Sequence, residues 1–239
     1  MAGSILAFSK IENAYQSFWQ AFQANAVKSP SLAKTLHPAG FKCTNVEGSA
    51  HDVQVSGTFH LKSWPFRGET DGIASRRRID IIASGWDKYD CSKGMLSASN
   101  IKVMYLRAQT TGPFTESLLQ VHYDFQANQG PRHPVFHAQF ANVKFSEPDL
   151  SKLGIKLDLT SSTNSRIPAV RIPTPFVGLA GLLLGLAADH WDETSFLKFL
   201  KNTQEAIIVS WQPKSDSLMK NLMPKGGKPI RSIHWYGCT

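Results

Sequence analysis

The sequence predicts an α+β protein in which an antiparallel β-meander follows an amphipathic helix and precedes two further helices. Three observations lead to this class. Apolar residues recur at helical spacing near the amino terminus, alternate at period two through the middle of the chain, and form helical runs again after residue 176. Because no helical segment separates the alternating stretches, we expect neighbouring strands to pair antiparallel.

The first predicted element is an amphipathic helix over residues 4–28. Ile5, Phe8 and Ile11 begin a stripe of apolar side chains spaced three and four residues apart. Pro30 ends it, because the residue before a proline is biased away from helical geometry. The aromatic residues of this stripe are expected to face the core.

The predicted sheet covers residues 50–146. Apolar and polar residues alternate in Val53–Leu61 and in Leu119–Phe125, and turn residues such as Gly130 and Pro131 separate the alternating runs. Strands of this kind bury one face and leave the other more polar.

The last predicted elements are two helices within residues 176–210. The run 176–191 is apolar on nearly all sides and contains Gly178, Gly181 and Gly185, which indicates a buried helix with room for a close neighbour. A second amphipathic helix begins at Thr194, and a basic tail follows over 212–239. We interpret the proline-rich stretch before residue 176 as a connection inside one domain that covers residues 1–239.

The charge of the chain favours an anionic partner. The sequence holds 26 Lys and Arg residues against 18 Asp and Glu residues, which gives a formal net charge of +8 and a pI of about 9.4. Such an excess is typical of proteins that meet nucleic acid, an acidic protein or an anionic membrane surface. A solvated basic surface without a partner is the alternative.

The cysteines and the apolar runs predict a soluble, cytoplasmic protein with no membrane span. Cys43, Cys91 and Cys238 are far apart and odd in number, which favours free thiols over disulfides or a cysteine-based zinc site. The most apolar run, residues 176–188, is well short of the ~20 residues that span a bilayer.

Several familiar enzyme motifs are missing from the sequence. It contains neither GxxxxGK[ST] nor GxGxxG, which argues against the common nucleotide-binding loops. It also lacks GxSxG and HExxH, the patterns of serine hydrolases and of zinc proteases.

The segment from His122 to His137 carries the densest chemistry. His122 and Asp124 share the polar face of one predicted strand, His137 lies on the next, and His133 lies in the turn between them. If the strands pair as a hairpin, these side chains meet on one face. They would then suit either a Zn²⁺ or Mn²⁺ ion or metal-free acid–base catalysis at a phosphodiester. A polar sheet surface without a site is the other interpretation.

A second group of residues is predicted to contact phosphates. These residues are arginines in or beside the predicted strands and cations of the basic tail. The alternative is that they only protect a strand edge by their charge or form a solvated surface. The group consists of Arg76, Arg78, Arg166, Arg171, Lys225, Lys228 and Arg231.

Together these patterns favour a nucleic-acid-associated protein, with a histidine-dependent nuclease or phosphodiesterase, metal-assisted or acid–base, as its specific form. The alternative is a non-catalytic interaction module, or a subunit of a larger assembly, whose basic surface binds an acidic protein. A third hypothesis is a small-ligand binder with a pocket between the sheet and the glycine-rich helix. The sequence leaves the choice of RNA or DNA, the substrate and the oligomeric state open.

Overall fold

The computed structural model describes residues 8–28, 40–65, 78–109, 111–126, 136–140, 142–162, 170–173 and 178–211. Within these ranges the chain forms four helices and eight strands. In chain order they are α1 (Phe8–Lys28), β1 (Lys42–Asn45), β2 (Asp52–Pro65), β3 (Arg78–Asp90), β4 (Met95–Arg107), β5 (Phe114–Gln126), β6 (Phe136–Phe140), α2 (Glu147–Lys152), β7 (Leu157–Ser162), β8 (Val170–Pro173), α3 (Leu179–His190) and α4 (Glu193–Trp211).

The strands form one mixed, curled sheet. Strands β1 to β6 pair antiparallel in chain order, and β8 pairs antiparallel with β6. Strand β7 instead runs parallel to the first half of β5. The α+β class is therefore confirmed, but the expectation of a plain antiparallel meander is wrong.

The lengths of β5 and β6 explain the parallel pairing. The short strand β6 covers only Val121–Phe125 of β5, so the earlier part of β5 keeps an open edge. The chain returns to that edge, where the Phe114 amide donates to the Lys156 carbonyl at 2.9 Å, and β7 follows. Backbone groups at a buried edge need partners, and β7 supplies them. For the same reason the sheet extends past the predicted limit at residue 146.

The start of the sheet also lies earlier than predicted. Strand β1 pairs with β2 through Cys43↔Val55 and its neighbours, so the sheet begins at Lys42 rather than near residue 50. The short strand β1 lacks the longer alternation that signals a strand in sequence.

Helices α1, α3 and α4 cover one face of the sheet with an aromatic core. Phe22 is fully buried on α1, and its ring centroid lies 5.1 Å from Trp191 and 5.5 Å from Phe199. The predicted aromatic stripe of the first helix is thus core, as expected. Helices α3 and α4 begin within three residues of their predicted starts.

The glycines of α3 depart from expectation in one place. Gly185 is exposed, and a Cβ built there would meet nothing within 4 Å. It therefore does not make room for a packed neighbour. None of the helices in the described ranges combines the length and the apolar character needed to cross a membrane.

A buried carboxylate, Asp87, ties the helices to the sheet. Its oxygens accept hydrogen bonds from the Tyr15 hydroxyl at 2.6 Å, the Ser99 hydroxyl at 2.6 Å and the Leu179 amide at 2.8 Å. Leu179 is the first residue of α3, and Gly178 offers no side-chain cap, so Asp87 caps this helix from the sheet. Burial raises the pKa of Asp87, although its three hydrogen bonds act in the opposite direction.

The other face of the sheet, here called the outer face, carries a smaller apolar core. The segment that contains α2 packs there, and Leu153 and Ile155 contact a cluster with Ile82 and Met104. Gln120 holds the preceding chain in place, because its side-chain oxygen accepts a hydrogen bond from the Val143 amide at 2.8 Å. This layer covers only part of the outer face and leaves polar side chains beside it.

Candidate functional site

The predicted histidine hairpin forms with its polar residues on the outer face. The register pairs His122 with Gln139 and Asp124 with His137. Directly paired residues of antiparallel strands point to the same side, so these four side chains share one face. The intervening residues Tyr123 and Phe125 belong to the helix-side core.

His122 lies between two charged neighbours. Lys102 is its partner on β4, and Asp124 lies two positions along its own strand. Burial lowers the pKa of the His122 imidazole, the charge of Asp124 raises it, and the charge of Lys102 lowers it further. Among the residues that the structure describes, none gives the buried Nε2 atom of His122 a hydrogen-bond partner. The net lowering of the pKa favours the neutral imidazole, which can accept a proton.

His137 is less accessible than the hypothesis of an acid–base pair requires of it. Only 3% of this residue is exposed. The residue directly opposite His122 is Gln139, and His137 lies two positions away from Gln139 on the same strand. Residues in this diagonal position have Cα atoms about 7–8 Å apart. Within the described part of the chain, no three His, Cys, Asp or Glu side chains are grouped as metal ligands would be. His133 lies outside the described residues.

Arg78 is the predicted phosphate contact whose side chain the structure describes. Its guanidinium donates to the Ser63 carbonyl at 3.3 Å, while the Ser63 amide donates to Asp80 at 2.9 Å. A hydrogen bond of 2.7 Å also joins Asp80 Oδ2 to His60 Nε2. Ser63 has a left-handed φ of 55° at the bulge of β2, so this network stabilises a strained turn of the strand.

One other predicted phosphate contact lies within the described residues. Arg171 lies on β8, at the register position opposite Gln139. Five residues lie outside the described ranges: Arg76, Arg166, Lys225, Lys228 and Arg231.

The described thiols are free but not suited to nucleophilic catalysis. Cys43 is half-buried and Cys91 is buried. Burial, together with the charge of Glu12, raises the pKa of Cys43 to about 11, so the thiolate is scarce at neutral pH.

A groove of about 370 Å³ lies on the outer face beside the histidine hairpin. Its floor is formed by β2, β3 and β4, and its walls come from α2 and from the start of β1. The floor side chains that carry its chemistry are Ser56, Thr58, Ser84, Trp86, Asn100 and Lys102.

The groove combines a hydrogen-bonding floor with cationic walls. Lys42 on β1 and Lys152 on α2 are exposed, and both line the groove. Asp149 is the acidic residue among the lining, and its carboxylate accepts a hydrogen bond from the Ser146 hydroxyl at 2.6 Å. Lys102 on the floor donates to the Lys144 carbonyl at 3.0 Å. The lining is therefore net positive.

The histidine hairpin and the groove share one row of the sheet. In the register, Thr58 pairs with Ser84, Ser84 with Lys102 and Lys102 with His122. Neighbouring strands are ~4.8 Å apart, so His122 lies about 10 Å from Ser84 across two strands. Lys102 connects the two features, because it lines the groove and also faces His122.

Sequence reasoning missed the groove although part of its signal was present. The outward positions of β2 and β3 carry Ser56, Thr58, Ser84 and Trp86, small hydroxyl residues with a single large ring. The alternation of apolar and polar residues identifies such positions only as a polar face of a strand. The α2 wall comes from a segment separated from the floor strands by β5 and β6, and no local pattern predicts such a contact.

Comparisons of this chain with protein-family models, with curated proteins and with solved structures find no match.

Proposed function

We propose that the protein binds nucleic acid in the groove on its outer face. The observation that supports this proposal is that the groove is lined both by exposed wall lysines, Lys42 and Lys152, and by the half-buried indole of Trp86 on its floor. Lysine ammonium groups neutralise phosphates without regard to sequence, and an accessible aromatic ring offers a surface on which a base can stack.

The charge distribution supports a polyanionic ligand. Lys42 comes from the edge strand β1 and Lys152 from α2, so a phosphodiester backbone in the groove would meet one cation from the sheet edge and one from the helix above the sheet. The floor between them offers neutral donors and acceptors from Ser56, Ser84 and Asn100, which suit sugar and base groups. The net charge of +8 adds long-range attraction for the same class of ligand.

Binding of a labelled oligonucleotide, followed by fluorescence anisotropy at several salt concentrations, tests this proposal. The variant with Lys42→Ala and Lys152→Ala removes both wall cations. Its matched control, Lys198→Ala with Lys201→Ala, removes the same charge from exposed positions of α4, on the other side of the sheet.

We expect the groove variant to bind at least tenfold more weakly than the wild type. The slope of log K against log salt should fall by about 1.4, since each lost phosphate contact is worth roughly 0.7 for a single strand. The control should change both quantities much less. Equal effects in the two variants, or no binding by the wild type at low salt, would overturn the proposal. Binding of an acidic peptide in place of nucleic acid would favour the interaction module instead.

A second candidate function is phosphodiester cleavage at His122. It is favoured by the position of this imidazole beside Lys102, a residue of the groove, and by its lowered pKa. In this proposal His122 accepts the proton of the attacking hydroxyl while the hydroxyl oxygen bonds to phosphorus, and the bond from phosphorus to the leaving oxygen breaks. Water supplies the proton that this oxygen takes up, because His137 is only 3% exposed, and Asp124 positions the His122 imidazole.

Cleavage assays on labelled RNA and DNA separate this candidate from binding alone. We expect His122→Gln to lower the cleavage rate by at least 10²-fold, the usual contribution of a general base, while oligonucleotide affinity stays within twofold. His51→Gln, at an exposed position between β1 and β2, is the matched control and should cleave normally. The candidate fails if the wild type cleaves neither substrate or if His122→Gln cleaves as fast as the wild type.

A further inference from the structure

We infer that the groove selects single-stranded over double-stranded nucleic acid, because Trp86 stacks on an unpaired base. This inference rests on the proposed function and concerns the same groove. It depends on the surroundings of Trp86, on the size of the groove and on the chemistry of the neighbouring strands.

Trp86 lies in the middle of the floor between two small polar residues. The register pairs it with Ser56 on β2 and with Asn100 on β4. Neither neighbour is large enough to cover an indole. Trp86 is only half-buried, whereas Trp64, the other tryptophan of the described strands, is fully buried. A large ring left accessible between polar residues is the arrangement that base stacking requires.

The size of the groove matches one nucleotide unit better than a duplex. Its volume of about 370 Å³ is near the lower end of the range for small-ligand pockets. In a duplex the faces of the bases are stacked on one another, and the strand offers mainly phosphates to such a groove. An unpaired base can instead leave its stack and present a face to Trp86.

The polar neighbours of Trp86 suit a base whose edge is exposed. The Asn100 side chain offers both a donor and an acceptor, and the Ser56 hydroxyl can serve as either. Watson–Crick edges are occupied in a duplex and accessible in a single strand. Lys42 and Lys152 on the walls would contact the flanking phosphates of a single strand or of a duplex. They therefore support binding without distinguishing single-stranded from double-stranded nucleic acid.

The experiment compares one labelled 12-mer as a single strand and as a duplex, in RNA and in DNA form, with the full chain and its variants. We expect the wild type to bind the single strand at least tenfold more tightly. Trp86→Ala should weaken single-strand binding by about tenfold or more and leave duplex binding unchanged. Trp86→Phe keeps an aromatic ring and should retain most of the preference. Circular dichroism of each variant checks that the fold is kept.

The outcomes distinguish this inference from the proposed function. If the wild type binds both forms equally, or Trp86→Ala weakens both equally, the strand preference is wrong while nucleic-acid binding stands. If the wild type binds neither form at low salt, the proposed function itself fails. Quenching of tryptophan fluorescence by the single strand should be smaller in Trp86→Phe than in the wild type, and a quench of unchanged size there would also contradict the stacking.

Discussion

Burial shifts the pKa of single side chains in opposite directions on the two faces of the sheet. His122 on the outer face is partly desolvated between Lys102 and Asp124, and its pKa is lowered. Asp87 on the helix face is fully desolvated, and its pKa is raised despite three hydrogen bonds. Burial disfavours the charged form in both cases, so it moves a base and an acid in opposite directions.

The titration of His122 should respond to each neighbour with a defined sign. We expect an NMR midpoint below the usual value of about 6.5. Lys102→Met should raise the midpoint because it removes a repulsive charge, and Asp124→Asn should lower it because it removes an attractive one. Lys201→Met, a charge loss on α4, should leave it unchanged.

The same titration has a consequence for stability. Since the pKa of His122 is lower in the folded protein than in the unfolded chain, the unfolded chain binds the proton first as the pH falls. The contribution of His122 to stability is therefore fully present above its pKa in the unfolded chain. It is lost as the pH falls through its pKa in the folded protein. A midpoint above 6.5, or shifts of the same sign in both variants, would contradict this account.

Asp87 should give the opposite pH dependence. Because its pKa is raised on folding, its contribution to stability is complete below the unfolded value and is lost as the pH rises through the folded value. Asp87→Asn cannot ionise. We therefore expect the unfolding free energy of the wild type to fall relative to that of Asp87→Asn between pH 4 and pH 7 in urea titrations. A difference that stays constant, or grows in favour of the wild type, would show that Asp87 is not the buried carboxyl described above.

At the scale of elements, glycines mark where strands approach closely and where a helix has room. A Cβ built on Gly85 of β3 would lie 2.3 Å from the Asn100 carbonyl oxygen, and that oxygen belongs to the backbone of the adjacent strand. In α3, a Cβ on Gly185 would meet nothing within 4 Å. The same substitution should therefore have opposite effects in the two elements.

We expect Gly85→Ala to lower the free energy of unfolding by about 2 kcal/mol, because β3 and β4 must separate to admit the methyl group. Gly185→Ala should raise it by about 1 kcal/mol, since alanine restricts the unfolded chain and favours the helix. Urea unfolding of the two variants measures both changes. A stabilised Gly85→Ala or a destabilised Gly185→Ala would contradict the packing described above.

For the whole molecule, the periodicity of the sequence predicts those elements whose form depends on neighbouring residues in the chain. The alternation of Leu119–Phe125 was enough to place His122 and Asp124 on one face, and the apolar run after residue 176 was enough to predict α3. The parallel pairing of β7 and the α2 wall of the groove depend on the return of residues 142–162 across the sheet. Contacts between distant segments leave no periodic trace, so the histidines were predicted and the groove was not.

The two faces of the sheet also differ in the size of their cores, and this difference predicts how the molecule opens. The helix-side core includes α1, α3 and α4 and most large aromatic side chains, whereas the outer core is a smaller cluster around Leu153 and Ile155 in which aliphatic side chains predominate. Local opening free energies follow the amount of buried apolar contact. Native-state hydrogen exchange should therefore show α2 and its flanks exchanging well before the central strands β3 and β4.

A variant makes this last prediction specific. Leu153→Ala removes a buried side chain of the outer core, so we expect at least tenfold faster exchange in residues 147–157 and little change in the helices of the other face. Leu197→Ala, at an exposed position of α4, is the control and should leave both regions unchanged. Uniform acceleration over the whole chain would mean that the two layers open together. The wall that carries Lys152 would then be as stable as the core, and the groove would be a fixed feature rather than one that opens with α2.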